Sequence, residues 1–452
     1  MSKNREELIN EDPKKLMIKL CVPAIVGMVV IGLYSFMDGV FAGQLIGKNA
    51  MGAVSVAYPL TLINCAIATL VGIGSASVLA RAIGKNDQKT VDKIMGNLLS
   101  LVLLLSIAVM ILGIIFARKL LLLTGAKGEI LELAVRYIRI VFLGSIFVNF
   151  AQSANMIMRG EGLMNKAMIF MGIGAILNII LDPILIIAFG EYGIEGAAVA
   201  TISSQFVQFV ITMIYFIKKS KTVRFHKIRV ERLLLPQIFS VGLSAMMMQL
   251  MSILQQTLMY RMASKYGGES QLILMGAVLR IQAFSFIPLW GMSQGLQPVV
   301  GTNYGAKLFS RVKKSTNIFI IGATVLALIF WIPIEIFSSN VLALFITDVE
   351  AVKAGIVSFR TMYSVFPVLG TIIMGITFFQ SIGNGKNASI MVLLRQVILF
   401  IPTITILPKI IGIYGVWLAT PLVDGTVFIM ALYLIFKEYK NMDNSSEMKV
   451  KV

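Results

Sequence analysis

Gly193-Ile-Glu-Gly-Ala-Ala-Val-Ala-Thr201 returns 219 residues later as Gly412-Ile-Tyr-Gly-Val-Trp-Leu-Ala-Thr420, with five of nine positions matched. Fainter echoes keep nearly the same spacing. Gly52-Ala-Val54 pairs with Gly276-Ala-Val278, Gly74 and Gly84 with Gly295 and Gly305, and Gly162 with Gly385. A long internal repeat decides the architecture before any single motif does. The chain has 452 residues, 57% of them hydrophobic and 14% charged, which excludes an ordinary soluble domain.

Nine uncharged windows of 18 or more residues can each cross a bilayer as a helix. Three further apolar stretches are each interrupted by one charge, at Asp182, Arg395 and Asp424. The expectation is therefore an all-α membrane protein of twelve transmembrane helices. The repeat covers six of them, and because six is even, both halves begin on the same side of the membrane. The two halves then form two pseudo-symmetric six-helix lobes: residues 1–217, a linker 218–232 and residues 233–452. So little sequence lies outside the spans that function must reside in the membrane, and a carrier working by alternating access is the leading reading.

The net charge of +18 follows the basic bias of cytoplasmic loops rather than a nucleic-acid footprint. With the amino terminus inside, 28 of the 40 Lys and Arg fall on the cytoplasmic side, which puts both termini there. Residues 1–19 mix acids with bases and show no cleavable signal. Cys21 and Cys65 lie in predicted spans as packed, reduced thiols, and His226 sits in the basic linker away from any acid cluster. Gly72-Ile-Gly74-Ser-Ala-Ser77 lies inside an apolar run, where small residues permit close helix packing. Lys85 and Lys386 complete no phosphate-binding loop, so ATP hydrolysis is not expected, and no catalytic constellation is apparent.

Acids inside spans are functional candidates by default. Asn178-Ile-Ile-Leu-Asp182-Pro183 places an amide and a carboxylate four apart on one helix face, next to a proline that frees a backbone carbonyl. That set suits a proton or a small hard cation. In the second half Pro402 keeps the kink, but Val397 and Ile401 replace Asn178 and Asp182, so the chemistry belongs to one lobe. Asp38 ends span 1 with Tyr34 one turn earlier, and Asp424 is divided between a packing contact and a functional role. Met259 and Met292 are among methionines that could line an adaptable cleft.

Taken together, Met37-Asp38-Gly-Val-Phe-Ala-Gly43, Gly74-Ser-Ala-Ser-Val-Leu-Ala-Arg81-Ala-Ile-Gly84, Arg159-Gly-Glu-Gly162, Asn178 to Pro183 and Gly193 to Thr201 resemble the multidrug and toxic compound extrusion family, in its MepA-like branch. The resemblance implies a monomer in the bacterial cytoplasmic membrane that exports varied, mainly cationic lipophilic compounds in exchange for H⁺ or Na⁺, with no other cofactor. It implies a coupling-cation site at Asp38, Asn178, Asp182 and Thr201, where Na⁺ would also bind through oxygen. Tyr34, Gln255, Met259, Arg280, Met292 and Asp424 are the supporting or cleft candidates. Where other branches place second-lobe acids, this chain has Gln255, Gln256, Gln380 and Asn384. Two alternatives stand beside the exchanger: a flippase for lipid-linked saccharides, which would need a cluster of basic residues such as Arg280 in the cleft, and a membrane sensor that binds without cycling.

Overall fold

The structure, a computed structural model, describes residues 4–32, 37, 40–346 and 348–444, together with the backbone of 3, 33–36, 38–39 and 445–450. Among the described residues the regular structure is entirely helical. Nine runs among the described residues are long and apolar enough to cross a membrane. Two of these, Met164–Lys219 and Leu235–Gly305, each hold two crossings. A further crossing, divided at Gly144 into Gly128–Leu143 and Ser145–Gly160, completes the twelve.

In chain order, span 1 is Pro13–Phe41, span 2 Lys48–Lys85, span 3 Gln88–Leu123, span 4 the pair just named, span 5 Met164–Phe189 and span 6 Gly193–Ile214. Spans 7 and 8 share Leu235–Gly305 and part at Gly268, whose φ of 67° and ψ of −159° leave the helical region and suit a residue without a Cβ. Span 9 is Phe309–Ile336, span 10 joins Val349–Tyr363 to Leu369–Ile382, span 11 runs Gly385–Ile411 through a π-helical turn at Leu394–Ile398, and span 12 begins at Ile413.

Glycine-to-backbone contacts hold the lobes together near the linker. A Cβ on Gly84 would lie 2.1 Å from the carbonyl oxygen of Thr302, and one on Gly305 2.2 Å from that of Arg81. Gly74 meets the Ile238 carbonyl, Gly242 that of Leu70, and Gly291 the backbone of Ile25 in the same way. Helices in a bilayer gain little by hiding apolar surface from lipid, so such close backbone approach supplies the attraction through dispersion and weak contacts. Around this crossing the Ser77 hydroxyl donates to the Gln380 carbonyl, Gln297 to that of Ile73 and Asn303 to that of Leu8.

The linker departs from the fully solvated segment that its charges suggest. Val223 is buried, Glu231 N–H donates to Asn97 Oδ1 at 2.8 Å, and Lys93 pairs with Glu231 at 3.2 Å. Gly96 lets the Lys227 carbonyl rest directly on span 3. The segment's backbone groups thus find partners on the first lobe while Lys221, Arg224, Lys227 and Arg229 stay exposed.

Gly84→Ala should lower thermal stability by about 1–3 kcal/mol, as overpacking does. Gly172, which faces open space, is the control: Gly172→Ala should leave stability unchanged or raise it by up to about 1 kcal/mol. Melting of the purified protein checks both, and equal effects at the two sites would refute the close-contact account.

Candidate functional site

Span 5 packs antiparallel to span 6 through small residues. The Leu185 carbonyl fits against Gly196, and Gln208 lies over Gly174. This register sets Thr201 level with the turn that carries Asp182. Asp182 and Asn178 are 2% and 1% exposed, and Asn178 Nδ2 donates to Asp182 Oδ1 at 3.2 Å. Pro183 lacks an N–H, so the Ile179 carbonyl loses its helical donor in the same turn. Thr201 is buried, with its hydroxyl turned back to the Ala197 carbonyl at 3.1 Å.

Asn178 Oδ1 is buried without a hydrogen-bond partner. A protonated Asp182 could donate to that oxygen while accepting from Nδ2, closing a two-bond acid–amide pair. An ionised Asp182 would instead offer oxygens to a cation. The side chains of Asp38 and Tyr34 lie outside the described residues.

Two cavities border the line where the lobes meet. One, of about 230 Å³, is walled by Met28, Thr69, Gln152, Asn155, Arg159, Met171 and Gln294, among others. The other, of about 270 Å³ and in the second lobe, is walled by Gln255, Gln256, Met259, Gln282, Phe286, Arg395 and Gln396. Gln249 and Trp290 line both, so the cavities adjoin in one cleft. The first cavity reaches Gly174 and Ala175 on span 5, about 10 Å along the helix from Asp182.

The remaining candidates separate. Gln255 and Met259 line the second cavity, whereas Met292 is packed in the second-lobe core against Gly322. Arg280 is exposed and outside both cavities, so it does not supply the basic cleft expected of a flippase. Gln380 and Asn384 serve structure: Gln380 donates to Ser244 Oγ at 3.1 Å, and Asn384 caps the helix beginning at Gly385.

Asp424 forms a two-point ion pair with Arg395, at 2.7 and 3.3 Å, with the side chains 2% and 11% exposed. Arg395 therefore lies inside span 11, whose apolar stretch it interrupts. It is held by the π-helical turn, a distortion frequent at functional sites. Sequence reasoning missed this pair, although the signal existed: single charges of opposite sign interrupt two consecutive antiparallel spans. Arg159, Gln249 and Gln294 on the cleft wall had no comparable signal.

Twelve spans in two lobes, a polar cleft between them and a buried acid in one lobe define a membrane transporter rather than an enzyme. The family profile MatE matches the chain twice, over residues 23–184 and 244–405. The chain belongs to the MatE family of multidrug and toxic compound extrusion transporters, and its two matched copies begin 221 residues apart, within the 219–224 range of the internal repeat. It is 26% identical to the FAD transporter of Shewanella oneidensis over 96% of each chain, and 24% identical to the multidrug export protein MepA of Staphylococcus aureus over 93% of each. The solved structure of a multidrug resistance MATE family transporter in an outward-facing conformation superposes with a TM-score of 0.91 at 28% identity, covering 98% of this chain and 99% of that one.

Breaking the second-lobe pair by Asp424→Asn should cost about 3–5 kcal/mol, because the Arg395 charge is then buried without its partner. The double change Asp424→Leu with Arg395→Met should cost far less. Additive losses in a double-mutant cycle on purified protein would refute a coupled pair.

At the turn between spans 4 and 5, Glu161 faces a linker-side cavity with Arg5, Asp87, Lys166, Tyr215, Lys219 and Lys221. Burial pushes its carboxyl up to about 8, only partly opposed by Lys166. Between its ordinary value near 4.5 and about 8, the folded protein holds a proton that the unfolded chain releases. Stability should therefore fall as pH rises through this window. Glu161→Gln should flatten that fall in melting temperature, and an unchanged slope would refute the assignment.

Proposed function

We propose that this protein is an exchanger that exports small organic compounds against inward movement of a proton, bound at Asp182 with Asn178, Thr201 and Asp38. The observation that carries the reading is the buried Asn178–Asp182 pair with its unpartnered amide oxygen, built into one lobe and replaced by Val397 and Ile401 in the other. A binding site used symmetrically would not need that difference. Entry of one proton down an inside-negative potential of 100 mV contributes about 2.3 kcal/mol toward export.

The proposed cycle is alternating access. Proton loading at Asp182 changes the packing between spans 5 and 6, and the lobes rock about the glycine crossing at the linker end. The linker and both termini lie in the cytoplasm of a bacterial cell, in accord with the basic bias of that face, and the transporter acts as a monomer. The multidrug export relative supports small-molecule cargo, and cationic lipophilic compounds are the class that the family resemblance suggests. The charge of the cleft bears on that class separately.

Efflux from vesicles with pH and sodium gradients imposed separately tests the coupling. A pH gradient should drive efflux with little response to sodium. Asp182→Asn should abolish it in a correctly inserted protein, and Ile401→Val should be tolerated. Full efflux driven by sodium at equal pH would overturn the proton assignment, and wild-type rates for Asp182→Asn would overturn the site.

A further inference from the structure

Among the described residues, the charges on the cleft wall are of one sign. Among the described residues that line the two cavities, the charged side chains are Arg159 and Arg395, and none is a carboxylate. Arg395 is compensated from behind by Asp424. Arg159 makes no ion pair among the described residues, and its guanidinium contacts the sulfur of Met171 at 2.6 Å. A guanidinium on a cleft wall without a counter-charge is a donor fork suited to a carboxylate or phosphate.

The neutral groups around it complete a second requirement. Asn155, Gln205 and Gln294 line the same cavity, and the side-chain oxygen of each is buried without a hydrogen-bond partner. Asn155 is 3% exposed, and its Nδ2 donates to the Ala167 carbonyl at 2.7 Å, which fixes the amide and leaves its oxygen without a partner. Unsatisfied acceptors beside an unpaired donor call for a ligand with N–H groups as well as negative charge. Trp290, shared by the two cavities, offers an aromatic surface for a flat body.

We infer that the interlobe cleft selects planar organic anions bearing amide or imide edges, with Arg159 as the charge-selecting residue and Asn155 and Gln294 as the edge-reading ones. The inference rests on the transport reading for its purpose, but the selection itself is a property of binding. A lipophilic cation entering this cleft would meet Arg159, with no acid among the described wall residues, and would be disfavoured.

Equilibrium binding to the purified full-length protein tests this without any gradient. Three fluorescent probes separate charge from shape: riboflavin 5′-phosphate, riboflavin with the same ring and imide edge but no phosphate, and ethidium as a planar cation. Riboflavin 5′-phosphate should bind at least about tenfold more tightly than riboflavin, and ethidium more weakly than either. Arg159→Gln should bring the phosphate form to the level of riboflavin while leaving riboflavin itself little changed. A purely structural Arg159 would weaken all three probes together, and that outcome, or ethidium binding most tightly, would overturn the inference.

If melting shows that Arg159→Gln does not fold, Asn155→Ala decides instead. It should weaken both flavin probes and spare ethidium, and uniform loss or no loss would overturn the inference. Vesicle efflux separates the two readings. Anion-selective binding without gradient-driven movement would defeat the exchanger and keep the selectivity, whereas proton-driven export of ethidium without flavin preference would do the reverse.

Discussion

Two glycines carry the joint on which the molecule turns. Gly84 and Gly305 each lie against a carbonyl of the opposite lobe, Thr302 and Arg81, at a separation that a single methyl group would destroy. The bilayer gives helices no hydrophobic reason to prefer each other over lipid, so the lobes associate where backbones can come closest. Further along the same helices Gly242 meets Leu70 and Gly291 meets Ile25, and the amide-lined cavities open beside these contacts.

The lobes share a frame but differ in chemistry. The first keeps an acid–amide pair in the middle of span 5, where the second has Val397 and Ile401. The second carries a buried ion pair, Arg395 with Asp424, which costs desolvation that close two-point contact offsets. Asp424 is committed to Arg395, because loss of its charge would strand the guanidinium. An acid bound to an amide has no such penalty. The division of labour follows from the partner rather than from the carboxylate itself.

The spans, their number and the two-lobe plan were legible because apolar length and a repeat are one-dimensional signals. The Asn178–Asp182 pair was legible because helix geometry makes residues four apart neighbours. The glycine echoes at 74, 84, 295 and 305 marked the joint without saying what they touched, since contact partners from distant spans leave no trace in spacing. The cleft wall was the hardest part to read. Arg159 sits in a motif near a loop, where a solvated arginine is ordinary, and only the packing of spans 4, 5 and 8 turns it toward the cavity with Gln294 and Trp290. Met292 and Arg280 show the converse: residues on span 8, one packed into the core and the other exposed outside the cleft.

Positions related by the repeat touch each other at the joint. Gly84 and Gly305 are mates, as are Arg81 and Thr302, and each glycine contacts the mate of the other's partner; Gly301 likewise meets Ala80, its own mate. Reciprocal contact of this kind is the geometry of a two-fold interface between identical subunits. The same surface could have closed two copies of a six-span chain against one another before any linker joined them. Once fused, the halves no longer had to be alike, and one could acquire Asp182 while the other acquired Arg395 and Asp424. The symmetry survives where the backbones must meet and has been lost where the side chains do different work.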